Sequence, residues 1–389
     1  MFSGQLIFAQ LMDLLPRHEF NVCVRRYRGD HRARGFRCRD QFLCMAFAQL
    51  TFRESLRDIE TCLRSLGGKL YHAGFRGRVS RSTLGDANRR RNWRIYHDLA
   101  QVLIGRARRL YADEHFGVDL ENAAYAFDAT TIDLCLTLFP WAPFRQHKAA
   151  IKLHTLLDLR GNIPTFIRVS SGKMHDVNVF DELLIEPGAF YVMDKAYLDF
   201  ARLFRLHRQA AFFVLRAKAK QAYLRRESRT VDKSTGLRSD QTVVLTGPLS
   251  SQRYPDPLRR VSFYDAERRR RLIFLTNNFT LPAAAIADLY RCRWQIELFF
   301  KWIKQHLRIK AFYGHSDNAV KTQVWIAVSI YVLVAIVKKE LGSELSLAEI
   351  LQILSVNTFE KTPLLQLLST PEHQNPLPPD SNQRRLFDF

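Results

Sequence analysis

Paired cysteines are missing from this chain. Cys23, Cys38, Cys44, Cys62, Cys135 and Cys292 form no CxxC and no partnered CxxxH, which argues against a zinc module and fits a reducing compartment. The first twenty residues lack a basic start, an apolar run and a small-residue cleavage site, and Asp13 interrupts their apolar stretch. Secretion is therefore not expected, and a cytoplasmic location is. No apolar run reaches the roughly 18 residues of a membrane span; the longest, residues 324–337, is expected to be a buried helix, with no membrane partner. No internal repeat is visible. Acidic residues are also in short supply, 38 against 59 Lys and Arg, for a net charge of +21. Such an excess points to a polyanion, most often nucleic acid, without separating DNA from RNA or from an anionic membrane surface.

What is present is a globular composition, 47% hydrophobic and 25% charged. Its 389 residues correspond to two or three folding units at roughly 150 residues each. Residues 1–118 read as a helical, arginine-rich, DNA-binding region, with apolar residues at helical spacing in QFLCMAFAQLTF, RESLRDIETCL and RIYHDLAQVLIGRARRL. Ser80 or Ser82 is placed to cap a helix carrying Arg89, Arg90, Arg91 and Arg94. Two readings of that helix stand side by side: a helix-turn-helix reader of DNA, or a solvated basic helix packed through Leu84, Trp93 and Ile95.

From residue 119 to 215 the pattern turns to short β-branched and aromatic runs, AYAFDATTIDL, KLHTLLDL, TFIRVSS, FYVMDKAY and AFFVLRAK. Arg160-Gly161-Asn162 is a hairpin turn between the second and third. A helix over residues 177–184, capped by Asp176, should precede the strand holding Asp194. Three strands, a helix and a further strand open a ribonuclease-H-like α/β fold. Residues 216–280 form a basic, β-rich insertion. Residues 281–345 complete the core with one long helix to about residue 310 and then the apolar helix. Residues 346–389 hold a short helix and a proline-rich polar tail expected to be disordered.

Asp128 stands inside an apolar and β-branched run, and Asp194 repeats the arrangement. Desolvating a carboxylate costs several kcal/mol unless a partner or ion offsets it, so each acid is either a strand-end cap or a functional group. His175 is a candidate neighbour of the site, whereas Asp133 reads as a strand-end residue. The segment YRCRWQIELFFKWIKQH spaces Tyr290, Arg293, Glu297 and Lys304 by 3, 4 and 7. At about 100° per residue they share a helical arc of roughly 60°. This is either a surface stripe of ion pairs or an acid that binds a metal among cations that hold phosphate. Three acids on two strands and a helix suit a pair of Mg²⁺ ions. Such ions, about 4 Å apart, activate the attacking oxygen and stabilise the leaving one at phosphorus.

The pattern Y-x2-R-x3-E-x6-K, met without a gap by Tyr290, Arg293, Glu297 and Lys304, resembles the signature of the insertion-sequence-four family of bacterial DDE transposases. Asp128 and the DKAY segment at Asp194 resemble that family's other catalytic positions, and the 103-residue interval from Asp194 to Glu297 leaves room for its β-rich insertion. The resemblance spans residues 25–340. It implies a ribonuclease-H-like core that uses two Mg²⁺, or Mn²⁺, to cut the terminal inverted repeats of an element and join the freed 3′-hydroxyls to target DNA. Asp128, Asp194 and Glu297 would be the catalytic metal ligands. Tyr290, Arg293 and Lys304 would contact phosphates, and Trp294 would either stack on a flipped base or pack in the core. A homodimer on the DNA is implied too. Two rival readings remain at this level: a catalytically silent DNA-binding derivative, and a glycoside hydrolase using paired carboxylates, which the charge and the cations around Glu297 disfavour.

Overall fold

The computed structural model describes residues 4–145, 147–217, 221–305 and 312–369; the expected end of the long helix at residues 306–310 and the tail from 370 lie outside them. The chain opens with helices α1 (Ile7–Asp13), α2 (Arg17–Arg26), α3 (Cys38–Leu50), α4 (Leu56–Ser65), α5 (Lys69–His72), α6 (Arg81–Arg90) and α7 (Arg94–Leu110). α3 is apolar nearly all round and buried along its length, as a helix at the centre of a layer must be. α7 buries Ile95, Tyr96, Leu99, Ala100, Leu103, Ile104 and Ala107, the helical spacing of one face. Ser55 and Ser80 accept the backbone N–H groups of Asp58 and Thr83, capping α4 and α6. The choice between Ser80 and Ser82 thus falls to Ser80.

The strands follow: β1 (Ala124–Leu134), β2 (Pro143–Arg145), β3 (Lys148–Asp158), β4 (Ile163–Ser171), β5 (Phe190–Met193), β6 (Phe212–Arg216), β7 (Tyr223–Arg229), β8 (Leu237–Leu245), β9 (Leu258–Asp265) and β10 (Arg270–Thr276). α8 (Asp176–Val179) precedes β5, α9 (Phe200–Arg208) precedes β6, and α10 (Pro248–Arg253) lies between β8 and β9. β4, β3 and β1 pair antiparallel, and β5 and β6 run parallel to β1 in the order β4-β3-β1-β5-β6. That is the ribonuclease-H-like arrangement. The insertion does not fold apart from it. β10 pairs antiparallel with β6, and β9, β8 and β7 extend the same sheet outward.

Side chains alternate across the strands, so each strand feeds two cores. Ala124, Ala126, Phe190, Val192 and Val214 face the helical layer, while Tyr125, Phe127, Tyr191, Met193, Phe213 and Leu215 pack with Val179, Phe180, Leu203 and Leu206 on the other side. After the insertion come α11 (Ala283–Cys292), α12 (Trp294–Gln305), α13 (Asp317–Glu340), α14 (Leu347–Asn357) and α15 (Leu364–Leu368). α13 is the expected apolar helix. It is long enough to cross a membrane, yet 94% of its apolar window is buried inside the protein, against α7, α3 and α6. Ser346 caps α14 in a reciprocal pair with Glu349.

Two local expectations are corrected. The helix over 177–184 is only one α-turn, Asp176–Val179, followed by a 3₁₀ turn, Phe180–Glu182. Asp176 does not cap it: His175 holds the cap position, and the Asp176 carboxylate accepts from Lys152 Nζ at 3.0 Å. An ammonium within reach outcompetes the backbone N–H groups of so short a helix, because charge-assisted hydrogen bonds are the stronger kind.

The hairpin turn is as expected. Gly161 and Asn162 have φ of 72° and 57°, and a Cβ on Gly161 would lie 2.2 Å from the Tyr111 ring. Tyr111 in turn donates to Ala335 O of α13 at 2.8 Å, so the turn, the end of α7 and α13 are pressed together. Gly161→Ala should lower the unfolding free energy by about 2–4 kcal/mol, from overpacking plus the left-handed backbone. Urea denaturation of the two proteins checks it.

Candidate active site

Phe127 pairs with Met193 as the last step of the parallel β1–β5 ladder, so the next residues, Asp128 within β1 and Asp194 just past the end of β5, come side by side. Strand neighbours lie about 4.8 Å apart. Both acids continue the parity of Ala126 and Val192, the face turned towards the helical layer, and α12 packs there against β1. The two acids thus meet the helices that follow the insertion.

Those helices are not one. α11 ends at Cys292 and α12 begins at Trp294, with Arg293 at the joint. There the backbone tightens to three-residue bonds, Arg293 N to Tyr290 O at 3.3 Å and Ile296 N to Arg293 O at 3.1 Å. This corrects the single continuous helix. The turn sends the two halves to different acids. Tyr290 donates its hydroxyl to Asp194 at 3.2 Å. Arg293 donates to Asp128 at 2.9 Å and to Glu297 at 2.6 Å, and its guanidinium lies 5.7 Å from the Tyr290 ring centre. Lys304 Nζ reaches Thr131 O of β1 at 2.8 Å. The surface-stripe reading of this segment is excluded: Tyr290 is buried and the Arg293 side chain is only 14% exposed.

The electrostatics follow from that enclosure. Burial pushes the Asp128 carboxyl up to about 6, and the charges of Asp194 and Glu297 add to the rise; the Ala129 N–H and Arg293 oppose it. Tyr290 is raised to about 12 by burial and then by Asp194. Burial alone would lower Arg293, yet Tyr290, Glu297 and Asp128 more than offset it, and its pKa rises. Among the described residues no three His, Cys, Asp or Glu side chains stand as a ready-made ion cage. The reason is visible in the geometry: the guanidinium of Arg293 lies between two of the acids. Its buried Nε has no hydrogen-bond partner, and the surrounding donors are carboxylate oxygens, the hard ligands that divalent cations take.

Two clefts meet at Glu297. One, of about 360 Å³, is lined by Asp128, Thr130, Glu297, Lys301 and Lys304. The other, of about 630 Å³, runs from Asp194, Tyr290 and Arg293 to Arg216, Arg238, Arg268 and Arg270 of β6 and the insertion. Trp294 stands on its wall, 46% exposed, with the Arg268 guanidinium 5.4 Å from its ring centre. Core packing of Trp294 is excluded. The insertion is fixed to this wall by Arg259, which bonds Asp240 twice, at 2.8 and 2.9 Å, and donates to Leu281 O at 2.6 Å just before α11. Reasoning from the sequence missed Arg216, Arg238, Arg268 and Arg270. Their charge was legible in the insertion, but the sheet pairing that brings them to the cleft was not.

The remaining expected residues stand apart from the acids. Arg89 and Arg90 are exposed, Arg89 paired with Asp86 at 2.6 Å. Arg94 is exposed over the ring of Trp93. Arg91 turns inward, donating to Gln41 at 3.1 Å and to Phe36 O, which leaves it committed to the fold rather than to solvent. Leu84 and Ile95 are buried and Trp93 half-buried, so the packing that the second reading of this helix needed is present, with arginines still outward. Asp133 is exposed near the end of β1.

Comparison with known proteins gives a consistent result. A family model described as a transposase DDE domain matches residues 121–333, more than half of the chain, and a domain family of unknown function matches residues 3–76. A protein of Sinorhizobium fredii provisionally named a transposase is 33% identical over 257 residues, covering 65% of this chain and 70% of the relative. A protein of Geobacillus stearothermophilus named a probable transposase for an insertion sequence element is 33% identical over 210 residues, covering 53% and 54%. A solved piggyBac transposase synaptic complex with hairpin DNA aligns with a TM-score of 0.46 and 9% identity over 86% of this chain and 72% of that one.

The exposure of Trp294 predicts a sharp contrast between two tryptophans. Trp294→Ala should change folding stability by about 1 kcal/mol or less. Trp302→Ala, which removes a buried ring packed 4.6 Å from Tyr331, should cost about 3–5 kcal/mol. Denaturant melts of both variants measure it.

Proposed function

Since this chain belongs to the DDE transposases, DNA-cleaving and strand-transferring enzymes that use divalent metal ions, we propose that Asp128, Asp194 and Glu297 are its metal ligands and that it moves an insertion sequence by cutting and rejoining DNA at that element's terminal inverted repeats. The observation that carries the reading is the convergence of the three acids through Tyr290 and Arg293, on a parallel strand pair and a helix joint.

Two Mg²⁺ ions, or Mn²⁺, held by the three carboxylates would supply activation of the attacking oxygen and charge neutralisation of the leaving one. The rest is the work of this chain's side chains. Arg293 holds Asp128 and Glu297 together, and its fork of N–H groups would suit two oxygens of a neighbouring phosphate. Tyr290 orients Asp194, and Lys304 lies along the cleft wall beside Asp128. Water first displaces the 3′ oxygen of the cut strand at phosphorus. The freed 3′-hydroxyl then attacks a target phosphodiester at the same site. Trp294 offers a partly exposed ring for a base displaced from its stack; such stacking is worth about 1–3 kcal/mol per base. Arg216, Arg238, Arg268 and Arg270 give the cleft the cations that a duplex requires. Holding two ends at once calls for a second copy of the chain, so the working form is a homodimer on DNA, in the bacterial cytoplasm at the nucleoid.

Asp128→Asn, Asp194→Asn and Glu297→Gln should each reduce end cleavage at least about 10³-fold while leaving duplex binding within a few-fold, because the loss falls on transition-state charge rather than on docking. Cleavage of labelled inverted-repeat duplexes, with gel-shift binding in parallel, tests each residue; undiminished cleavage removes it from the set. EDTA should abolish both cutting and joining, and Mg²⁺ or Mn²⁺ should restore them. This separates the reading from glycoside hydrolysis, which needs no ion.

A further inference from the structure

The segment between α2 and α3 is dense in arginine. Over residues 25–37 it carries Arg25, Arg26, Arg28, Arg32, Arg34 and Arg37, all exposed, against the single acid Asp30. The carboxylate of that acid accepts from the Cys38 N–H at 2.6 Å, which ties the loop to the start of α3. The loop is nonetheless ordered and held in place. Tyr27 and Arg26 both donate to Asp98 of α7. Gly29 sits so close to Ile95 and Cys38 that a Cβ would lie 2.4 Å from the first and 2.6 Å from the second. Arg91, at the end of α6, donates to Phe36 O and lies 5.3 Å from the Phe36 ring centre.

Two of the exposed arginines have left-handed backbones, Arg28 with φ of 51° and Arg32 with φ of 60°. That conformation costs a non-glycine residue roughly 1–2 kcal/mol, and strained residues persist where the surroundings over-determine them, often at binding sites. A loop needed only to join two helices has no use for the four exposed guanidinium groups of Arg28, Arg32, Arg34 and Arg37. Their mutual repulsion disfavours the compact loop in the absence of an anion. The loop lies along the first turns of α7, where Arg94 is exposed too.

We propose that residues 25–37, held by Arg91 and Asp98, are a preformed clamp for the phosphate backbone of duplex DNA, separate from the catalytic cleft, and that Arg91 is its positioning residue. This gives a role to a stretch lying within the domain of unknown function over residues 3–76; it rests on the transposase reading for its partner but not on the three acids. Density of charge without an aromatic stacking platform among the exposed residues favours backbone contact over base readout.

The test uses the full chain in EDTA, so that nothing is cut, with a labelled duplex of random sequence titrated over a range of KCl. Arg28→Gln/Arg32→Gln/Arg34→Gln should weaken binding about tenfold or more and reduce the slope of log K against log salt by about 3, roughly one for each phosphate no longer neutralised. A matched triple, Arg64→Gln/Arg109→Gln/Arg208→Gln, removes the same charge at exposed sites elsewhere and should leave the slope within about 1 of the parent. Thermal melts confirm that both proteins are folded. Arg91→Met should lower affinity with a smaller change in slope, since it frees the loop without removing an exposed cation. Equal losses for the two triples would overturn the clamp in favour of net charge alone. An unchanged slope for the loop triple, with the parent still binding DNA, overturns it and leaves the catalytic reading standing. A parent chain that binds no duplex at all overturns both.

Discussion

Parallel pairing of β1 with β5 is the constraint on which the site depends. A parallel ladder in this register delivers Asp128 and Asp194 to its end on one face. No rearrangement of side chains could bring them together if either strand slipped by one residue, because each slip sends the acid to the opposite face. Tyr125, Phe127, Tyr191 and Met193 lock that register from below by filling the core beneath the sheet. The third acid comes to the pair through the break at Arg293, which lets α11 serve Asp194 and α12 serve Asp128.

Like charges gathered at one site repel one another, and the chain answers with a guanidinium and a phenol. Arg293 bridges two carboxylates and Tyr290 takes the third. Removing one partner from such a partly buried ionic cluster leaves an uncompensated charge, commonly a loss of about 3–5 kcal/mol for a fully buried pair. Under the proposed function, hard divalent ions would compete for the same oxygens, so stability without metal and activity with it would draw on one set of side chains.

Much of this was legible in the residues. A run of β-branched and aromatic residues located β1, which spans the predicted AYAFDATTIDL run. The turn chemistry of Gly161 and Asn162 fixed the β3–β4 hairpin, and the tyrosine, arginine, glutamate and lysine spacing marked the segment that closes the site. The helix break at Arg293 was not legible, because no proline or glycine stands there. Asp176 escaped because Lys152 lies on another strand. Arg91 looked like its exposed neighbours Arg89 and Arg90, and only packing against Phe36 and Gln41 distinguishes it. The insertion declared its strands and its charge but not its partner, because strand pairing over long sequence separation leaves no local trace.

That partner has a mechanical consequence. β10 is hydrogen-bonded to β6, β6 to β5, and β5 to β1, so the basic arm and both aspartates are parts of a single woven plate rather than two bodies on a hinge. Force applied to the arm is carried through backbone ladders to the strand ends. Swinging the arm as a lid would mean tearing the plate, so adjustment between the cleft walls falls to side-chain rotation, with Arg268 over Trp294 at its mouth and Arg293 at its floor.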